Sequence, residues 1–492
     1  ESGGNLSDLK ALEKLGFVRL GEAETWRDPL AELEFVPAEP PPLMVDQLAA
    51  WQAIREGIEQ AAEGNFVRPY LLHGVTGSGK TEIYMQAVAE TLRMGRQAVV
   101  LVPEIALTPQ TVRRFLSRFP GQVGVVHSHL SAGERYDTWR RARLGQIPVI
   151  VGPRSALFTP LDKLGLVVVD EFHDDTYYQT DVPPSYHARE AAVRYARLAR
   201  AVCLLGSATP DVASQYRAEQ GEYQLLRLPQ RILAHRQAVQ RQVERLRLIS
   251  RYRPLGEQAE TIELPPVEVV DMRLELQAGN RSIFSRSLKS ALSETLEHGQ
   301  QAILFLNRRG SATYVFCRDC GHTLKCPRCE VPLTLHVDTR EGSSRLTCHY
   351  CSYQRQLPRN CPQCKSERIR QYGTGTERVE SEVHGLFPEV RTLRWDYETT
   401  RTKGSHEAIL SHFASHHADV LVGTQMIAKG LDLPLVTLVG VVLADVGLSL
   451  PDVRAAERTF QVLTQVAGRA GRSPLGGQVV LQTFMPEHYV IK

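Results

Sequence analysis

The segment GVTGSGKT, Gly74 to Thr81, packs three glycines, a lysine and three hydroxyls into eight residues. It follows an apolar stretch, YLLH, and precedes a helical pattern, EIYMQAVAETLRM, which is the setting a phosphate-binding loop requires. Backbone N–H groups over Gly74, Val75, Thr76, Gly77, Ser78 and Gly79 would turn inward onto phosphate oxygens, helped by the dipole of the next helix. Lys80 would reach the β- and γ-phosphates of ATP, and the Thr81 hydroxyl would ligate Mg²⁺. About ninety residues on, the run LVVVDEFHD ends a strand in Asp170 and Glu171. Asp170 would then stand near Mg²⁺, with Glu171 positioned to activate water. A third element, QVAGRAGR, starts on a helix at Gln465 and sets Arg469 and Arg472 three residues apart. Two guanidiniums so placed would stabilise charge developing on the γ-phosphate. The catalytic set is therefore Lys80, Glu171, Gln465, Arg469 and Arg472, and Gln47, ahead of the loop, is counted with the nucleotide-binding residues.

A second chemistry is written in the cysteines. Eight of the nine fall between Cys317 and Cys364, with spacing C-x₂-C-x₅-C-x₂-C-x₁₈-C-x₂-C-x₉-C-x₂-C. Four such knuckles supply the thiolates of two tetrahedral Cys₄ sites with no open position, hence two structural Zn²⁺ ions. The short spacers flank a long one that can form a hairpin, so the sites should be nested. The outer site is expected from Cys317, Cys320, Cys361 and Cys364, and the inner from Cys326, Cys329, Cys348 and Cys351. His322, His336 and His349 lie close by but are not required as ligands. Arg318, Lys325 and Arg328, on the knuckles, would meet phosphates or a partner protein, or simply form a solvated surface. The ninth cysteine, Cys203 in AVCLLG, reads as a buried core thiol.

The elements that must carry these residues follow from the apolar pattern. The chain has 492 residues, enough for about three domains. With 42% hydrophobic and 23% charged residues it is neither disordered nor fibrous. No apolar run approaches the ~18 residues of a membrane span. Clustered cysteines and the lack of a signal-peptide pattern fit a reducing cytoplasm. Residues 1–42 read as the tail of a separate upstream unit, closed by the stiff linker PAEPPP. Short strands alternate with helices over 43–230 and again from 265, which specifies an α/β fold of two RecA-like parallel-sheet lobes. The zinc-binding insert, 317–370, divides the second lobe into 265–316 and 371–492. Between the lobes, 231–264 opens with seven arginines and a single acid between Arg231 and Arg253, consistent with an exposed basic helix that holds DNA or a partner. The net charge of +3 falls to −1 once each Cys₄ zinc site contributes −2, so any attraction to nucleic acid must be local.

In order along the chain, the phosphate loop, DEFH, GSATP (Gly206 to Pro210), FLNRRG, GTQMIAKG (Gly423 to Gly430) and QVAGRAGR resemble the motifs of a superfamily 2 helicase. The cysteine insert, GTGTERVE and LQTFMPEH narrow the resemblance, over about Leu43 to Lys492, to the replication-restart helicases called primosomal protein N′. That resemblance implies an ATP-driven, 3′-to-5′ DNA helicase that binds forked and single-stranded DNA at stalled forks. Its implied partners are single-stranded DNA-binding protein and the primosome proteins that reload the replicative helicase. A monomer is expected, with no membrane partner. It also implies that Thr108, Arg154, Thr424 and Gln425 line the DNA path. In the loop after Glu171, Tyr177, Tyr178 and Tyr186 would stack on bases or else fill the core, and the polar, proline-containing setting favours a mobile loop. The family's N-terminal DNA-binding region and C-terminal domain are not expected within this chain.

Three residues depart from the family pattern. Phe172 stands where the motif usually has a second Glu, Pro153 where Thr is usual, and His129 where Gly is common. Two readings stay open at this point: an active motor, and a fork-binding, loader-recruiting protein that keeps the fold with weak or absent ATPase activity.

Overall fold

The structure, a computed structural model, describes residues 6–20, 25–31, 33–104, 109–180, 182–235, 253–255, 259–261, 264–307, 313–317, 319–337, 344–372, 375–396, 399–400, 405–424, 427, 433, 435–448, 450, 452–470 and 476–492. The first lobe is a seven-stranded sheet. Across it run Val123–Val125, Val149–Gly152, Gln97–Leu101, Leu164–Asp170, Val202–Ser207, Tyr70–Gly74 and Gln224–Leu228, every neighbouring pair parallel. Successive residues of a strand point to opposite faces, so an unbroken apolar run must be covered on both. Leu72, Val100 and Val168 accordingly enter one core while their neighbours Leu71, Val99 and Val167 enter the other. Helices Val45–Ala62 and Lys80–Arg93 pack on the first face, and Ala188–Leu198 on the second.

The second lobe repeats the plan with six parallel strands in the order Val267–Asp271, Gln478–Thr483, Val436–Leu443, Gln301–Leu306, Val420–Gly423 and Thr392–Trp395. Ile303 and Phe305 face one core, and Ala302, Leu304 and Leu306 the other. The chain leaves this sheet after Leu306 to build a separate five-stranded antiparallel sheet. That sheet's apolar cluster is small, and four of its ten buried residues are cysteines, with Val315, Leu324, Leu333, Leu335, Leu346 and Ile369 around them. A core of this size needs a further staple. Among the described residues no helix is long and apolar enough to cross a membrane.

Two expectations about the connections change. Part of the stretch read as the tail of a separate upstream unit lies along the first lobe: Asp28 pairs with Arg141 at 2.9 Å, the Arg140 guanidinium sits 5.1 Å from the Trp26 ring, and Leu30 and Leu33 pack on the core. At the junction between lobes, Arg231 is 3% exposed, so the basic segment begins with a buried side chain. Strands Ile232–His235, Arg253–Leu255 and Ala259–Thr261 form a small antiparallel sheet there. The expected basic helix falls on 236–252, outside the described residues.

Gly206, at the end of a central strand of the first lobe, has no room for a side chain: a Cβ would lie 1.6 Å from the Tyr84 hydroxyl oxygen. Gly206→Ala should therefore lower the unfolding free energy of this lobe by about 1–3 kcal/mol, read from its urea midpoint. An unchanged midpoint would mean that Tyr84 has space to move aside.

Candidate nucleotide site and zinc centres

The phosphate loop leaves the strand Tyr70–Gly74 and enters the helix Lys80–Arg93. Gly77 and Gly79 take positive φ values of 84° and 79°, a backbone that side-chain-bearing residues rarely adopt. At Gly74 a Cβ would approach Ser78 Oγ to 2.4 Å. The loop thus closes tightly, with Lys80 Nζ donating to Gly74 O at 2.8 Å and Ser78 Oγ buried without a hydrogen-bond partner. An unsatisfied buried hydroxyl in a glycine-lined turn at a helix N-terminus fits an incoming phosphate oxygen. Gln47 is buried behind the loop: its amide accepts from Met44 N and donates to Ser78 O at 3.1 Å. It therefore braces the loop from outside.

Asp170 ends the strand Leu164–Asp170, two strands from the loop across the sheet. Tyr84 Oη donates to Asp170 Oδ1 at 2.9 Å, and Tyr177 Oη donates to the Asp170 carbonyl at 2.7 Å. Burial, and then the charge of Glu171, raise the Asp170 pKa to about 6. Removal from water makes the carboxylate costly, which is the condition of a group suited to a cation. With Thr81 on the facing helix, Asp170 would hold Mg²⁺. Glu171 adopts φ 46°, and its buried Oε2 has no hydrogen-bond partner and lies 3.6 Å from His173 Nδ1. The turn thereby aims Glu171 and Phe172 in different directions. Phe172 is fully buried in the core beside Tyr177 and Leu205, with its N–H donated to Gly206 O at 3.2 Å and the Arg189 guanidinium 5.8 Å from its ring.

The second lobe reaches this turn through one helix, Ala455–Ala467. Gln465 Nε2 meets His173 Nε2 at 2.8 Å, while His173 Nδ1 meets Ser207 Oγ at 2.7 Å. An amide donating to Nε2 leaves the ring proton on Nδ1, facing Ser207. On the same face Arg458 pairs with Asp175 at 3.0 Å, Glu457 Oε1 accepts from Val212 N at 2.7 Å, and Gln461 Nε2 donates to Thr209 O at 3.4 Å. Just beyond the helix, a Cβ on Gly468 would lie 2.9 Å from Thr76 Oγ1 of the phosphate loop. The buried Arg469 follows directly. Arg472 lies outside the described residues.

The expected DNA path is placed only in part. Thr108 and Gln425 lie outside the described residues, and Thr424 donates its N–H to Trp395 O at 3.4 Å. Arg154 Nη1 donates to the carbonyls of Thr176 and Tyr178, so this cation shapes the tyrosine loop. Tyr178 is 47% exposed, but Tyr177 is 1% exposed and belongs to the core, which overturns its reading as a base-stacking residue. The proline-containing, polar sequence around Tyr177 hid the fact that its hydroxyl has a buried carbonyl to satisfy. Tyr186 is half-buried, edge-on to Phe158 with ring centres 5.2 Å apart. Sequence reasoning gave no role to Tyr84 or His173, and read Arg231 as part of an exposed basic segment. Tyr84 alone left a usable signal, one helical turn after Lys80 and so on its face.

The eight clustered cysteines form two groups, Cys317, Cys320, Cys361 and Cys364, and Cys326, Cys329, Cys348 and Cys351, each with its sulfurs within 4.8 Å of one another. The pairing is nested. Sulfur separations of 3.5 Å for Cys317–Cys364, 3.7 Å for Cys320–Cys361 and 3.6 Å for Cys326–Cys351 match the ~3.8 Å edge of a tetrahedron with Zn–S bonds of about 2.3 Å. The donor set and geometry fit structural Zn²⁺.

Residues 45–217 match the DEAD/DEAH box helicase family, 372–474 the helicase conserved C-terminal domain, and 326–356 the PriA DNA helicase Cys-rich region. Two parallel-sheet lobes bearing these motifs, one interrupted by a Cys₄ insert, define the helicase domains of superfamily 2. The chain is 46% identical over 98% of its length to the replication restart protein PriA of Bacillus subtilis, and 45% over 99% to that of Synechocystis. Over nearly its whole length the chain is thus similar to replication restart proteins PriA. Identity to the PriA protein of Chlamydia pneumoniae is 42% over 99% of the chain. The chain spans 56%, 55% and 60% of these three relatives, a little over half their length. Among solved structures, RecG bound to a three-way DNA junction superposes with a TM-score of 0.49 at 16% identity, covering 90% of this chain and 43% of that one, too loosely for any argument.

Tyr84→Phe should remove the hydroxyl that orients Asp170. The Mg²⁺ concentration for half-maximal binding of a fluorescent ADP analogue should rise several-fold, while binding in excess chelator stays unchanged; equal loss in both conditions would contradict this. For the insert, Cys326→Ser should leave one zinc equivalent bound per chain and Cys317→Ser the other, measured by atomic emission. Loss of both metals from either variant would show that the sites do not fold independently.

Proposed function

We propose that the chain is the motor core of a replication-restart DNA helicase, hydrolysing ATP to move 3′ to 5′ along single-stranded DNA at a stalled fork. The observation that carries this reading is the meeting of both lobes at one nucleotide site, where the turn after the helix Ala455–Ala467 approaches Thr76 of the phosphate loop. Lys80 would leave Gly74 O for the β- and γ-phosphates, and the loop N–H groups would hold the same oxygens. Thr81 and Asp170 would hold Mg²⁺, which neutralises charge on the phosphates. Glu171 would orient the attacking water, free of Phe172, which packs away from the site. Arg469, with Arg472, would stabilise the transition state from the second lobe, so turnover requires closed lobes and their separation follows product release. Through Gln465, His173 and Ser207, the same closure would reach the GSATP segment.

By this reading the partners are forked and single-stranded DNA, single-stranded DNA-binding protein and the primosome proteins that reload the replicative helicase, and the protein works as a cytoplasmic monomer. Thr108, Arg154, Tyr178, Thr424 and Gln425 belong to the DNA-facing side. Steady-state ATP turnover with and without forked DNA tests the motor. Glu171→Gln should cut turnover by roughly a hundredfold or more while nucleotide still binds, and Lys80→Ala should weaken both. If unmutated protein on forked DNA shows no turnover above the Glu171→Gln background, the motor reading fails and a fork-binding, loader-recruiting scaffold replaces it.

A further inference from the structure

The first residue of the segment between the lobes does something its sequence context conceals. Arg231 opens an arginine-rich stretch, yet its side chain is 3% exposed. Nη2 donates to Gly468 O at 2.9 Å and Nη1 to Ala470 O at 3.2 Å. Those two carbonyls flank Arg469 on either side. The next residue, Ile232, donates its N–H to Gly77 O of the phosphate loop at 2.8 Å. Three residues before Arg231, Leu228 O accepts from Val75 N at 3.1 Å. The connection between lobes is thus bonded at once to the loop that would hold the phosphates and to the turn that carries the arginine.

We propose that Arg231 is a positioning residue for ATP hydrolysis, fixing the 468–470 turn of the second lobe so that Arg469 is held against the nucleotide. This rests on the ATPase reading above. The planar guanidinium suits the task because two of its nitrogens can bond two separate carbonyls in a fixed geometry. The carbonyls of Gly468 and Ala470 sit at the end of the helix Ala455–Ala467, where the last C=O groups lack helical partners and the dipole favours a cation. Lysine has one charged nitrogen on a flexible stem and cannot reproduce the paired restraint. Because Arg231 belongs to the connection itself, the contact ties that connection to the turn. The backbone bond from Ile232 to Gly77 needs no side chain at position 231, so nucleotide binding in the first lobe does not depend on Arg231.

The test compares Arg231→Ala, Arg231→Lys, Arg469→Ala and the Arg231→Ala/Arg469→Ala pair on forked DNA. Arg231→Ala should lower kcat about tenfold to a hundredfold, the scale of a displaced catalytic group, with KM for ATP and affinity for ADP within about twofold. Arg231→Lys should recover only part of the loss, and the double variant should turn over no more slowly than Arg469→Ala alone. Hydrogen exchange without nucleotide gives a second readout: peptides covering 466–470 should exchange faster in Arg231→Ala, while those covering helix 80–93 stay unchanged. Turnover within twofold of the unmutated protein, losses that multiply in the double variant, or unchanged exchange at 466–470 would overturn the proposal. Failure of the ATPase reading itself looks different: the unmutated protein would match the Glu171→Gln background, and the exchange experiment alone would then decide whether Arg231 restrains the turn.

Discussion

Gln465 and Ser207 hold His173 from opposite sides, and that three-residue contact helps to join two lobes whose cores are separate. Each lobe has its own parallel sheet with a core on both faces, so each satisfies its apolar residues internally. Among the described residues the bonds between the lobes come from Gln465, Gln461, Arg458 and Glu457, along one face of a single helix, to the turns that follow Asp170 and Ser207. A hydrogen bond of this kind contributes roughly 0.5–1.5 kcal/mol net, because water replaces it when the surfaces part. An interface built this way can close and open, as an apolar one could not at similar cost. The nucleotide groups divide along the same line, with the phosphate loop, Asp170 and Glu171 on one side and Arg469 on the other.

Within the first lobe, two tyrosines do for Asp170 what the interface does for the lobes. Tyr84 takes the carboxylate and Tyr177 the carbonyl, and both are buried against the strand they steady. The crowding of Tyr84 on Gly206 explains why the neighbouring strand, Val202–Ser207, has a residue with no side chain beside Asp170. The zinc insert is anchored differently. At Gly321 a Cβ would come within 2.7 Å of Phe484 O, so a knuckle of the outer site lies directly on the backbone after the strand Gln478–Thr483. Beside it, Arg273, His322, Gln363 and His488 line an open cavity of about 270 Å³. Closed Cys₄ centres give the insert rigidity that its few aliphatic residues could not supply.

Most of the fold and the nested zinc sites were legible in the sequence because they are local or periodic. Uninterrupted runs such as LGLVVVD read as strands buried on both faces, and four CxxC knuckles with one long spacer between two short ones admit few pairings. The phosphate loop and Asp170–Glu171 were legible because each occupies a strand end. What escaped was everything that depends on tertiary direction. Tyr177 looked like a loop aromatic because nothing local announces a buried carbonyl awaiting its hydroxyl. Arg231 looked like the first of a row of solvated arginines because its partners, Gly468 and Ala470, are more than two hundred residues away. Phe172 looked like a threat to the active site until the positive φ of Glu171 turned it into the core.

The central claim is that the lobes complete one ATP site through the helix Ala455–Ala467 docking on the turn after Asp170. A double-mutant cycle between His173 and Gln465, read in DNA-stimulated ATP turnover, addresses it most directly. Each single change to Ala should slow turnover, and the double variant should be no slower than the worse single variant, giving a coupling energy of at least about 0.5 kcal/mol. Losses that add independently, with no coupling beyond error, would contradict the account.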